Sequence, residues 1–324
     1  MSKLFKLIVL IMAGIFILQT AACGAPEIAE EVTGEATQAP TEEPTFLNPG
    51  EPPESARTLE DVNSSIKASE NRTLSGDKFL ENLYERPFTS QEMVYQPELD
   101  IYTVDIAQDD NFFYFTITLN PGGLELNELF GVYGIEFDRT KTGRGDLLVL
   151  TQGLLADWST DNVSVYIDTD EDVGGPKPMI ADAGFEGNGY DQQVELAENK
   201  VAWSRISPED ANALQIAVSR TLMDNPEEFL WSAWADDGLK DVTLFDYNDT
   251  MGPSMAGSPL RDDKNYPIKN LYSVDNTCRL PYGFEPKSSE VPGMCLSVTV
   301  CERYCVKWCY TPQRVKYCCE YGCK

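Results

Sequence analysis

Three aspartates at alternate positions, Asp168, Asp170 and Asp172 in NVSVYIDTDEDVGG, have types and spacing that suggest chemistry in this 324-residue chain. A strand end carrying an acid at every second residue aims several oxygens at one point, and Ca2+ is a hard cation held by oxygens alone. Gly174 and Gly175 then let the chain turn. This is not an EF-hand, because the glycine falls one place late and Met179 stands where the twelfth-position glutamate belongs. The competing reading is a solvated acidic turn, which Asp and Gly favour equally. Asp138 and Asp146 flank the segment FDRTKTGRGD and form a second, weaker calcium candidate. The Arg-Gly-Asp tripeptide inside it reads as part of a glycine-bearing hairpin loop rather than an adhesion motif.

The cysteines are the other reactive set. Apart from Cys23 they are Cys278, Cys295, Cys301, Cys305, Cys309, Cys318, Cys319 and Cys323, an even number confined to the end of the chain. Their spacings lack the paired hooks of a zinc site and contain no redox Cys-x-x-Cys. In an oxidising compartment such a set reads as disulfides stapling a small C-terminal module. Eight cysteines allow 105 pairings. One of these closes a Pro/Gly-containing loop between Cys278 and Cys295 and leaves six cysteines to a separate knot, but spacing alone does not decide among them.

Aromatic side chains supply a third kind of candidate. An exposed indole can stack on a sugar ring while its N–H stays free to bond. Trp158, Trp203 and Trp234 are the candidate ligand-binding residues, with Trp158 the most exposed in expectation because Asp157 and a Ser-Thr-Asp turn flank it. In FLWSAW, strand alternation sets Phe229 and Trp231 on one face and Trp234 on the other. The competing reading for each tryptophan is core packing.

The chain contains no histidine. This removes Ser-His-Asp and Cys-His nucleophile pairs and histidine general bases together. No P-loop and no GxGxxG opening a helix is present. The expectation is that the protein is not an enzyme; a carboxylate-pair glycoside hydrolase is the remaining catalytic alternative. A formal charge of −28 repels phosphate backbones, so nucleic acid is not an expected partner. From Cys278 onward the balance reverses to basic, which suits docking on the acidic body or on an envelope polymer.

The elements that must position these residues are mostly strands. IYTVDIA, NFFYFTITL, LFGVYGIEF, DLLVLTQ, NVSVYIDT, YDQQVELA, VAWSRI, ALQIAVSR and EFLWSAWA are short β-branched or aromatic runs bounded by turn residues. ALQIAVSR follows a helix-start signal, Ser207-Pro208-Glu209-Asp210, yet its composition is read here as a strand. Ser75 to Leu83 reads as a short helix. The fold class is therefore all-β, an antiparallel β-sandwich of jelly-roll or immunoglobulin-like type with a small disulfide-rich C-terminal module.

Ahead of the body, MSKLFKLIVLIMAGIFILQTAACGAP carries Lys3 and Lys6, an apolar run and small residues before Cys23. That is the pattern of a secretory leader. Thr20-Ala21-Ala22-Cys23 resembles the bacterial lipobox, which implies a lipidated Cys23 and several acyl chains giving stable anchorage. The expected organisation is a lipoprotein signal peptide (1–22), a disordered acidic Pro/Thr/Glu-rich tether (23–58), the β-sandwich with a short N-terminal helix (59–277) and the cysteine-rich tail (278–324).

YERPFTSQEMVYQPELDIYTVDIAQDDNFFYFTITL, YGIEFDRTKTGRGD, VYIDTDEDVGG, FLWSAWADDGL, FDYND and DNTCRLPYGF resemble a group of exported bacterial proteins of chloroflexus type. More loosely, the succession of strand, Asp-x-Asp turn and strand is similar to DOMON domains and family 9 carbohydrate-binding modules. That similarity implies a sandwich binding a sugar or a cofactor on one face; the lack of histidine argues against heme. The expected function is a lipid-anchored cell-surface protein that recognises carbohydrate or a cell-wall polymer, with calcium in support. The alternative is an envelope assembly protein acting through protein contacts.

Overall fold

The structure is a computed structural model that describes residues 46–71, 76–120, 129–174, 189–237, 242–245, 247–259, 267–286 and 293–295. For 303–310 and 316–323 it describes the backbone. The expected leader, Cys23, the tether up to residue 45, Ser75 and Cys301 lie outside these residues, as do the side chains of Cys305, Cys309, Cys318, Cys319 and Cys323.

The chain runs through β1 (Arg57–Glu60), β2 (Glu85–Arg86), β3 (Ile101–Gln108), β4 (Phe112–Leu119) and β5 (Val132–Asp138). It continues with β6 (Leu147–Thr151), β7 (Val163–Ile167), β8 (Gln192–Val194), β9 (Ala202–Ile206), β10 (Ala213–Ser219) and β11 (Phe229–Asp236). Then follow β12 (Val274–Asn276), β13 (Leu280–Tyr282), β14 (Arg303–Tyr310) and β15 (Lys316–Cys323). One sheet has the order β1-β3-β4-β10-β9; the other has β2-β12-β11-β5-β6-β7-β8, with β13 also on β11. Every strand pair is antiparallel. This is the expected all-β sandwich, and each of the nine strand segments read from the sequence forms a strand.

Alternation explains the packing. In β4, Phe113, Phe115, Ile117 and Leu119 enter the core between the sheets, while Phe112 and Tyr114 belong to an outer cluster. β10 repeats the pattern, with Leu214, Ile216 and Val218 inward and Ala217 outward. From the facing sheet come Ile135, Phe137, Val149, Phe229 and Trp231. The Phe115 ring meets Phe137 and Trp231 at 5.5 and 5.2 Å between centroids, tilted edge to face. Burial of such side chains contributes about 1.5–3 kcal/mol each before entropy is subtracted.

The larger sheet is covered on its second face too. Leu148, Leu150 and Trp234 pack there beneath Tyr84, Phe245, Tyr247 and Leu271. The segments that form this lid have little regular structure, and the expected helix over Ser75 to Leu83 is corrected to a 3-10 turn, Phe79–Glu81. Asn82 explains the stop: its left-handed backbone, φ 58, ends the turn.

Two boundaries also shift. Residues 46–58, expected in the tether, pack on the sandwich: Phe46 and Leu47 join the outer cluster, and Arg57 and Thr58 open β1. The tail does not separate at residue 278, because β13 extends the larger sheet by pairing with Phe229–Trp231. A disulfide joins Cys278 to Cys295, and between them Arg279 reaches a buried Glu136 at 3.0 Å. β14 and β15 form their own two-stranded sheet.

Candidate functional site

The outer face of the five-stranded sheet carries a concave polar surface. Because β3, β4 and β10 alternate, their outward residues line up across the sheet: Asp105 and Ala107, then Tyr114, Thr116 and Thr118, then Ala213 and Gln215. With Ser207–Asp210 on one side and Glu51–Ser55 on the other, they enclose a groove of about 360 Å³. Its floor carries the Thr116 and Thr118 hydroxyls, which both donate and accept hydrogen bonds, beside two alanines and the Gln215 amide, whose oxygen accepts the Arg205 Nε–H at 2.7 Å. Its walls bring the carboxylates of Glu51, Asp105, Glu209 and Asp210.

The strap formed by residues 46–53 decides what remains open on this face. The Trp203 indole N–H donates to the Leu47 carbonyl at 2.8 Å and that of Trp158 to Gly50 at 3.1 Å. Gly50 N–H in turn donates to the Tyr114 hydroxyl, and Tyr114 donates to Asp109. Glu51 grips Arg205 through both carboxylate oxygens, and the guanidinium lies 4.3 Å from the Trp158 ring centre. The Arg205 contact holds the Glu51 carboxyl below its usual range. Trp158 and Trp203 are thus brought together beside the groove, half-buried, with their polar edges occupied by the strap. Trp234 is a correction: at 2% exposure it is core, on the far sheet, its ring 4.4 Å from Phe245. Strand alternation does turn it away from Trp231, but the opposite face is covered as well.

The acidic loop is organised from within. Asp168 accepts the N–H groups of Asp170, Glu171 and Val173, so its oxygens close the turn. Burial is the main cause that lifts its pKa to about 6, and burial with Asp170 and Asp168 lifts Asp172 to about 7. The carboxylates that converge here are Asp168, Asp170 and Asp191, with oxygens within 4.8 Å of one another; Asp172 is not in that trio. Asp191 is held by the Thr169 N–H and hydroxyl.

Asp138 and Asp146 are engaged by their own hairpin. Asp138 is buried and accepts the N–H groups of Thr142 and Gly143, and Asp146 pairs with Arg139 at 2.6 Å and accepts its N–H. They hold the hairpin, whose Gly145 is required because a Cβ would stand 2.1 Å from the Tyr190 hydroxyl. Asp146, Asp168, Arg139 and Arg144 line a common cavity of about 400 Å³ at this end of the sandwich.

A further set of acids was not anticipated. Asp61 leaves β1, Glu85 lies in β2, Asp100 precedes β3 and Asp275 lies in β12. Oxygens of Asp61, Glu85 and Asp275 stand within 4.8 Å of one another. Burial lifts Asp61 to about 8 and Asp100 to about 7. For Glu85 and Asp275 burial comes first and negative neighbours second, both pushing the carboxyls well up.

No family model matches the sequence, and no curated protein or solved structure matches it either. Function therefore has to be argued from these sites. Sequence pattern could find Asp168 because its partners are local. It could not find the buried four, which come from distant segments and meet only through sheet register.

Proposed function

We propose that this is an exported, lipid-anchored binding protein that holds a carbohydrate or cell-wall polymer in the groove of the five-stranded sheet. One observation carries this reading: a floor of Thr116, Thr118 and Gln215 set between carboxylate walls on the outer face of a rigid sheet. Sugar hydroxyls need partners that both donate and accept, and the Thr116 and Thr118 hydroxyls supply them; carboxylates add strong acceptors for hydroxyl donors. The acidic walls favour neutral or amino sugars over acidic ones. Recognition then runs through hydrogen bonds rather than through the stacking first expected, since the strap and Arg205 occupy Trp158 and Trp203. The anchor at Cys23 belongs to the same proposal and rests on the lipobox-like Thr20-Ala21-Ala22-Cys23.

The test is a glycan array on the detergent-solubilised full chain, followed by titration calorimetry with the best binder. Thr116→Val with Thr118→Val keeps the β-branched shape and removes both hydroxyls. Two lost hydrogen bonds at about 0.5–1.5 kcal/mol each predict an affinity drop of about tenfold or more. Absence of any glycan bound would defeat the reading and favour envelope assembly through protein contacts, as would unchanged affinity in the double variant.

A further inference from the structure

The unanticipated acids can be taken further, independently of the groove. Glu85 and Asp275 are directly opposite residues of the antiparallel pair β2 and β12. Like charges facing across a ladder are destabilising, and here both side chains are buried, at 3% and 0% exposure. Asp61 joins them from the end of β1. Among the described residues, each of the three has one buried oxygen that makes no hydrogen bond: Asp61 Oδ2, Glu85 Oε2 and Asp275 Oδ1. A buried polar atom without a partner is a costly exception, and three on one cluster of acids call for a common partner.

No described side chain supplies it. Arg86, next to Glu85, is turned to Asp77 and to the carbonyls of Ala256, Gly257 and Leu271. Asp100 spends its oxygens on Tyr95, Asn120 and the Ser64 N–H, and adds only negative charge. The second oxygen of Asp275 accepts the Ile101 N–H at 2.7 Å, which fixes the first in place. Above Glu85 the chain closes at Gly76, where a Cβ would stand 2.6 Å from the Glu85 Cγ.

We infer that Asp61, Glu85 and Asp275 bind a divalent cation, calcium by the ligand set, at the junction where strands of both sheets meet. The donors are all oxygens, which selects hard cations over zinc or copper. Calcium takes about six to eight oxygens in a flexible shell, whereas magnesium keeps several waters and binds through one or two carboxylates. Three carboxylates converging from separate segments suit calcium on that ground. Bound there, calcium ties the exit of β1 in the five-stranded sheet to β2 and β12 in the other.

The test is thermal melting of the full chain in chelator, in calcium and in magnesium, with bound metal counted by elemental analysis. Calcium raises the melting temperature of the wild type more than magnesium does. Glu85→Gln is near-isosteric and relieves the like-charge contact, so it melts above the wild type in chelator. It loses the calcium-dependent rise and melts below the wild type in saturating calcium. Replacing Asp168, Asp170 and Asp191 together by Asn leaves that rise intact. The inference is overturned by a wild type indifferent to calcium, by an unaltered calcium response in Glu85→Gln, or by a variant that melts lower than wild type in both buffers. The first outcome would mean that the carboxyls share protons instead.

Discussion

At the scale of single residues, environment rather than type sets the role of each tryptophan. Trp158 and Trp203 donate their indole N–H groups to the strap, while Trp234 is sealed beneath Tyr84, Phe245 and Tyr247. Among the described residues the Trp234 N–H has no partner. Its contribution is therefore packing alone. Trp234→Ala should cost about 3–5 kcal/mol, the range for emptying a large aromatic site. Trp234→Phe should cost distinctly less, because no hydrogen bond is lost with the indole. Urea unfolding of the two variants checks this; equal losses would mean that the N–H matters after all. The same residue shows where sequence pattern stops. Alternation in FLWSAW correctly separates Trp231 from Trp234, but an apolar face can meet solvent, ligand or lid. The lid comes from segments around residues 79–84 and 245–256, whose helices, Phe79–Glu81, Tyr247–Thr250 and Pro253–Ala256, are single turns too short to leave a periodic signal.

At the scale of elements, strands were legible and their partners were not. NFFYFTITL announces its two faces residue by residue, and ALQIAVSR forms a strand despite the helix-start signal before it, since Leu214, Ile216 and Val218 fill the core. The two-residue β2 and the three-residue β12 are too short to show any period, and they carry Glu85 and Asp275. The strap was hidden for a related reason: a Pro- and Glu-rich run has no apolar period, yet indoles and Arg205 secure its backbone and Glu51. The segment after β12 behaves as an element of the sandwich because β13 pairs with β11 and the disulfide closes a separation of 17 residues. Arg279 donates its N–H to Gly293 and accepts that of Cys295, so the loop is bonded as well as bridged. A closed loop of about this length is worth about 3 kcal/mol in the unfolded chain. Replacing Cys278 and Cys295 by Ala should lower stability by about 2–4 kcal/mol, read as a lower urea midpoint. An unchanged midpoint would show that β13 holds the segment without the bridge.

At the scale of the whole molecule, charge governs behaviour, because a chain of formal charge −28 buries several of its acids. Around the buried group stand Asp61, Glu85, Asp100 and Asp275, with Tyr95 bonded to Asp100 and the Asp77–Arg86 pair on the adjoining side. Burial raises Asp61 to about 8, Asp100 and Asp172 to about 7 and Asp168 to about 6, while the same groups in the unfolded chain titrate near 4. Between pH 4 and 8 the folded state therefore binds more protons than the unfolded one, so its stability falls as pH rises. Glu51 and Asp109 are shifted the other way by their hydrogen-bond partners. Their contribution is complete above pH 4 and leaves the slope at higher pH untouched. In chelator, the melting temperature should decline steadily from pH 5 to pH 8, at about 2–4 °C for each kcal/mol lost in a domain of this size. Saturating calcium should flatten the decline, because a cation favours the ionised carboxylates that protons otherwise neutralise. Differential scanning calorimetry across that pH range decides it: a flat or rising profile in chelator would mean that the buried acids are compensated by groups other than protons.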